Sequence, residues 1–173
     1  MRHRYAVTLL ELIIAITVLG LLAALTIPRL SRAAAPPDTT TALRANLRIL
    51  RVAIDLYQRD HGVCPAQRSD GQAAAGTPDA FVSQLTRYTD ARGHVSDTPD
   101  AEHCFGPYLR DGIPPCPVAT GPNAYAIHVI PDAALLAGVA GSAPEGWIYN
   151  LETGHIAANT AESDSRGRQY ASY

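Results

Sequence analysis

The sequence predicts an α+β fold: a long N-terminal helix, membrane-spanning in its first half and amphipathic in its second, packed on a small antiparallel β-sheet with loop-rich connections. Three observations predict it. The run "AVTLLELIIAITVLGLLAALTIP", Ala6 to Pro28, is apolar except for one carboxylate, Glu11, and a few threonines. Leu43, Leu47, Leu50, Ile54, Tyr57 and His61 recur at alternating spacings of four and three, which places them on one helical face. Two late segments, "AYAIHVI" and "GWIYNLETGHIAAN", carry the alternation and turn residues of strands.

Composition narrows the function classes. A chain of 173 residues makes one globular module of ordinary size once a membrane segment is set aside. The formal charge is −2 and all 14 basic residues are arginine, with no basic stripe of the kind that grips nucleic acid, so no nucleic-acid partner is expected. Cys64, Cys104 and Cys116 are too few for a disulfide framework. In an exported chain two of them are expected to oxidise to one disulfide, with the pairing open.

Residues 1–6, "MRHRYA", form a short basic leader, and residues 7–28 a transmembrane helix. From Val7 to Ile27 the helix reaches roughly 31 Å at about 1.5 Å per residue, the thickness of a bilayer core. Arg2 and Arg4 hold the N-terminus in the cytoplasm and leave the C-terminal domain outside, although Arg29 and Arg32 follow the span. A charged side chain within a span is expensive and marks function by default, so Glu11 calls for a partner. Two other readings compete. A secretory signal cut after Ala33–Ala35 is opposed by the length of the apolar run, by Glu11 within it and by Pro36 after the site. A plain signal anchor would leave Glu11 incidental, near the interface. The hydroxyls of Thr8, Thr17 and Thr26 can be satisfied on their own helix, and neither they nor Gly20 is given a role.

Residues 29–62 read as an amphipathic helix with a break near 36–37, where Pro36 and Pro37 interrupt it and Asp38 or a following threonine caps the restart. Arg44, Arg48, Arg51, Asp55 and Arg59 form another stripe, read as a solvated face in preference to a grip on a neighbouring subunit. Gly62 ends the helix in the left-handed conformation.

Residues 63–173 read as a loop-rich globular β domain. A short helix in "AFVSQLTRYT" is capped near Thr77 to Asp79. A strand is expected from Ala124 to Ile130, and a hairpin with Trp147, Tyr149 and Leu151 entering, Gly154 turning and Ile156 returning. The sheet packs on the upper half of the N-terminal helix. His61-x-x-Cys64 and His103-Cys104 place imidazoles near thiols, but neither spacing is diagnostic. No metal, hydrolase or phosphate-binding motif is present, so no enzymatic activity is expected.

The basic leader, the small Ala6, and "VTLLEL" continuing through an uncharged helix to Pro28 together resemble the signal of type IV pilin-like proteins. The resemblance implies cleavage by a prepilin peptidase between Ala6 and Val7, methylation of the new amine, and retention of the helix. Glu11 then becomes the fifth residue of the mature chain, and Pro28 falls where the family often bends its helix. The sequence departs from the pattern at Ala6, where glycine is usual, and at Val7, where phenylalanine or methionine is common. Further on, "FGPYLRDGIPPCP" followed by "GWIYNLETGHIAANT" is similar to the end of the major pseudopilins of type II secretion. A calcium site in the C-terminal loops is a feature of those proteins. Glu162 and Asp164 are the local candidates here, but "SDSRGR" lacks the run of oxygen donors calcium needs, so a solvated tail is the favoured reading and no other cofactor is expected.

The sequence therefore points to a structural subunit of a pilin-like filament, either a type II secretion pseudopilus or a type IV pilus. It would be stored in the bacterial inner membrane as a single-pass protein and polymerised with copies of itself or other pilin-like subunits through its N-terminal helix. Its partners are membrane lipid, the prepilin peptidase and an assembly machinery. The alternative from another class is a signal-anchored periplasmic binding domain that does not polymerise.

Overall fold

The computed structural model describes residues 12–15, 17, 38–131 and 143–173. The chain divides into two units, Met1–Pro37 and Asp38–Tyr173. In the first, the described residues 12–15 and 17 are helical. The expected break at Pro36 and Pro37, the bend at Pro28 and most of the span lie outside the described residues. Among those described, no helix is long and apolar enough to cross a membrane.

The second unit is built on α1, Thr39–His61. Asp38 occupies the N-cap position, but its side chain makes no capping bond; its carbonyl accepts the Thr41 and Ala42 amides at 2.8 and 3.0 Å. At the other end Gly62 has φ +71°, and its N–H donates to the Gln58 carbonyl. The buried residues of α1 are Leu43, Leu47, Leu50, Ala53, Ile54, Tyr57 and His61, the anticipated face with one alanine added. α2, Pro78–Thr86, starts where the sequence indicated: the Thr77 side chain accepts the Ala80 amide, and Pro78 fills the first turn, where no amide donor is needed.

Two small sheets follow. β1 (Tyr88–Thr89) and β2 (Val95–Ser96) form an antiparallel pair; this corrects the helix expected over "AFVSQLTRYT", which stops at Thr86 and leaves Tyr88 and Thr89 to a strand too short to show a readable alternation. The other sheet has the order β3 (Ile127–Ile130), β4 (Trp147–Asn150), β5 (Ile156–Ala158). The β4–β5 hairpin is antiparallel as expected, with Trp147 opposite Ala158, Tyr149 opposite Ile156 and Gly154 at φ +71° in the turn.

Two corrections concern β3. It runs parallel to β4, so the sheet is mixed and not purely antiparallel; residues 131–146 separate the two strands and are long enough for a crossover. The strand also starts at Ile127 and not at Ala124. Gly121–Tyr125 is a 3₁₀ turn, and the carbonyls of Asn123 and Ala124 accept the amides of Gly146 and Cys116 instead of pairing along a strand.

All four residues of β4 are buried, because the strand is central and covered on both faces. Trp147 and Tyr149 enter the main core with Leu43, Leu47, Leu50, Ile54, Phe81 and Leu85, whereas Ile148 packs with Ile130 and Ala157 on the opposite face. Their polar tips are satisfied on loops: Trp147 Nε1 donates to the Pro114 carbonyl at 2.8 Å, and the Tyr149 hydroxyl to that of Pro65 at 3.1 Å.

Candidate functional site

In the N-terminal unit, Leu12, Ile13 and Ile14 are 58 %, 45 % and 55 % exposed. Successive helical residues lie about 100° apart, so these three cover more than half the circumference. Over that arc the described residues present no polar side chain to water except Thr17, so this part of the helix suits an apolar medium or apolar neighbours. The Thr17 hydroxyl donates back to the Ile13 and Ile14 carbonyls at 3.0 and 2.8 Å, so it is satisfied on its own helix. The processing residues Ala6 and Val7 and the carboxylate Glu11 lie outside the described residues.

In the globular unit the Cys/His pairs are not brought together as catalytic pairs. The His61 ring is buried and stacked on Tyr57 with centroids 4.0 Å apart. Its Nδ1 lies 3.0 Å from the Tyr57 carbonyl, and its Nε2 3.0 Å from the Asp90 carbonyl and 3.1 Å from Thr89 Oγ1. Its contacts thus tie the helix end to β1 and the following turn. Burial pushes the Cys64 and Cys116 thiols up, which disfavours the thiolate a nucleophile needs. His103 Nδ1 lies 3.0 Å from the Asp100 carboxylate, and Cys104 beside it is exposed.

Cys64, Cys104 and Cys116 are free thiols in the structure. Cys64 lies beneath the β4–β5 turn, where a Cβ on Gly154 would come within 2.9 Å of its sulfur. Cys116 lies beside Gly146, before the start of β4. The two buried sulfurs therefore fill gaps at opposite ends of that strand, and Cys104 is on the surface.

The weak calcium candidates are differently employed. Asp164 Oδ1 accepts the amides of Arg166 and Arg168 at 2.8 and 2.9 Å, and Oδ2 accepts the Tyr173 hydroxyl. The Tyr173 bond first, then those amides, hold this carboxyl below the usual carboxylate range. Glu162 is exposed. No group of three or more His, Cys, Asp or Glu placed to hold a metal occurs among the described residues.

The arginine stripe of α1 is only partly solvated. Arg51 Nη2 donates to the carbonyls of Tyr173, at 2.6 Å, and Ile156, at 3.2 Å. Arg44 and Arg168 place their guanidinium carbons 4.6 and 4.4 Å from the centre of the Tyr173 ring. Arg44 and Arg51 thus hold the C-terminal turn on the helix, a use more than a hundred residues distant in sequence, and Arg168 adds a contact to Tyr173 from within that turn.

Sequence reasoning also missed a buried polar network. Gln84 is fully buried; its Oε1 accepts the Ala66 amide at 2.7 Å, and its Nε2 donates to the Arg68 and Gly93 carbonyls, each at 3.1 Å. Asp70, buried nearby, accepts the amides of Gln72 and Ala73 and the Ser83 hydroxyl. Burial by itself would raise the Asp70 pKa, but these bonds and the Arg87 charge outweigh it, and the carboxyl sits below its ordinary value. The network organises loops. A groove of about 400 Å³ lined by Asp90, Ala91, Arg92 and Glu102 lies on the same side of the unit and has a single apolar side chain in its lining, unlike the mainly apolar walls of a small-molecule site.

Compared with known proteins, residues 1–27 match the prokaryotic N-terminal methylation motif, a type IV pilin-like signal. No curated protein and no solved structure matches the chain.

Proposed function

We propose that this chain is a structural, non-catalytic subunit of a pilin-like filament, of a type II secretion pseudopilus or a type IV pilus, that works through its N-terminal helix. The methylation motif at residues 1–27 carries the reading. The bare apolar side chains of Leu12, Ile13 and Ile14 support it, since such a helix suits lipid in the stored subunit and neighbouring helices in a filament.

Prepilin peptidase cuts between Ala6 and Val7, and the new amine is methylated. Glu11 then has a cation within reach when helices pack side by side: the Val7 amine of a neighbour. At about 4 Å and an effective dielectric of 20 the attraction is worth roughly 4 kcal/mol before desolvation. Its chief effect is register, because an uncharged apolar helix can slide along its partner and one buried charge pair penalises the wrong alignments. The chain is an inner-membrane, single-pass protein with residues 38–173 on the outer side; its partners are lipid, the peptidase, an assembly machinery, and copies of itself or related subunits. No cofactor enters this function. The pseudopilin assignment rests on "FGPYLRDGIPPCP" and the β4–β5 hairpin sequence, and is the less specific part of the proposal.

Intact mass spectrometry of the protein extracted from membranes tests the processing step. The expected mass is that of a chain beginning at Val7 with one added methyl group. A chain beginning at Pro36 would establish a secretory signal, and one retaining Met1 would favour an anchored binding domain that does not polymerise.

A further inference from the structure

Helix α1 carries a second apolar stripe. Ala42, Ala45, Ile49, Val52 and Leu56 recur at spacings of three and four, roughly 130° round the helix from the core stripe at 100° per residue. Ile49 and Val52 are each 49 % exposed, Ala45 is exposed, and Ala42 and Leu56 are half-buried. Among the described residues of the 38–173 unit, Tyr125 is the one other large apolar side chain so exposed. An alternation of three and four is the spacing of a helix that meets another helix along a narrow seam.

The charges beside the seam identify the partner. Arg48 directly precedes Ile49 and Asp55 directly precedes Leu56, so both lie on the same edge, two helical turns apart. Neither forms an ion pair with another described residue. If an identical helix is laid antiparallel, with Ile49 against Val52 and Ala45 against Leu56, Arg48 of each copy comes beside Asp55 of the other. In a parallel, in-register pair the residue facing Arg48 would be Ala53, which is uncharged and buried. The pattern is self-complementary only in the antiparallel sense.

We propose that α1 of a second copy of this chain docks antiparallel on the Ile49/Val52 seam, about a two-fold axis, with Arg48 and Asp55 pairing across it. A two-fold contact closes on itself, whereas a filament needs a contact that repeats head to tail. The seam therefore pairs unassembled subunits, and it stands whether or not the filament reading holds. Five side chains on each copy fall well short of the roughly 20–30 residues a side of a standard stable interface. Free units pair weakly, at about 100 µM or above, and crowding in a membrane would strengthen the pairing.

The experiment uses residues 38–173, which contain the whole main core, in sedimentation equilibrium from about 10 µM to 1 mM with a reductant to keep Cys104 free. A monomer–dimer equilibrium is expected. Arg48→Asp or Asp55→Arg alone should weaken dimerisation at least tenfold, and the double exchange Arg48→Asp/Asp55→Arg should restore it, because the swapped charges again match across the two-fold axis. Both positions are exposed, and an unchanged melting temperature shows that a variant keeps its fold, so that any change in dimerisation is read at the interface. A monomer throughout the range, single exchanges without effect, or a double exchange no better than the singles would each overturn the proposal.

Discussion

Leu12, Ile13 and Ile14 lie in one helix, and Leu43, Leu47 and Leu50 in another; the first three are about half exposed, and the second three are at most 1 % exposed. The residue types are nearly the same, and the difference lies in their spacing. Three consecutive residues wrap a helix, so no single surface of the same chain can cover them. Residues spaced four and three apart share one side, and Trp147 and Tyr149 of a three-stranded sheet join them in one core. The leucine face of α1 is therefore satisfied within the chain, whereas Leu12, Ile13 and Ile14 are left bare. Substitutions in the core of the globular unit should register as folding energy, and those at Leu12, Ile13 and Ile14 should leave that folding energy unchanged.

The sharpest contrast is between Leu47→Ala and Ile13→Ala. Leu47→Ala removes fully buried methyl groups and should cost about 2–5 kcal/mol of stability, read from denaturant unfolding of residues 38–173. Ile13→Ala in the full chain should leave the melting of the globular unit unchanged, and a shift of several degrees would break the comparison. Next in size is Gln84→Ala, expected to cost about 2–4 kcal/mol, since it strands the Ala66 amide and two carbonyls in the interior. Hydrogen exchange should show the 66–76 and 90–94 loops loosening first.

Asp70 gives a pH dependence. Its carboxyl pKa is lower in the folded unit than in the unfolded chain, so it stabilises above the unfolded carboxylate range and that contribution is lost as pH falls through the folded value. Stability should decline as pH drops below about 4. Asp70→Asn should be less stable at neutral pH and show a flatter acid limb in unfolding experiments across pH. The smallest effect is expected at Tyr57, whose buried hydroxyl has no hydrogen-bond partner among the described residues and lies by Gly93, where an added Cβ would come within 2.7 Å of it. Tyr57→Phe should raise stability by about 1 kcal/mol. A loss of that size would mean the hydroxyl is paired in solution.

Features that depend on neighbouring residues were legible in the sequence. The α1 face follows from its spacing, the α2 start from Thr77 and Pro78, and the β4–β5 hairpin from alternation around Gly154. What escaped depends on distant partners. The parallel pairing of β3 with β4 joins strands whose intervening sequence has no periodic signal, and Gln84 reads as an ordinary helical position until Ala66 and Gly93 fold against it. Arg51 has Asp55 one turn away, yet donates to the carbonyls of Ile156 and Tyr173, which no local rule anticipates. The second stripe of α1 had a legible spacing, but alanines at two of its five places weakened the signal beside the stronger leucine face. The N-terminal segment shows the converse: residues 1–27 match a methylation motif that is readable from the sequence, and the partners proposed for it are other molecules.

The claim that the N-terminal unit acts between chains is tested most directly by Glu11→Gln, expressed as the sole copy in cells, with recovery of sheared filaments as the readout. The substituted protein should still be cut after Ala6, remain in the membrane and keep the melting temperature of its globular unit, while filament yield falls by at least tenfold, in keeping with the loss of a charge pair worth several kcal/mol at each contact. Filaments at the wild-type yield would contradict the account, because the carboxylate in the apolar run would then play no part in assembly.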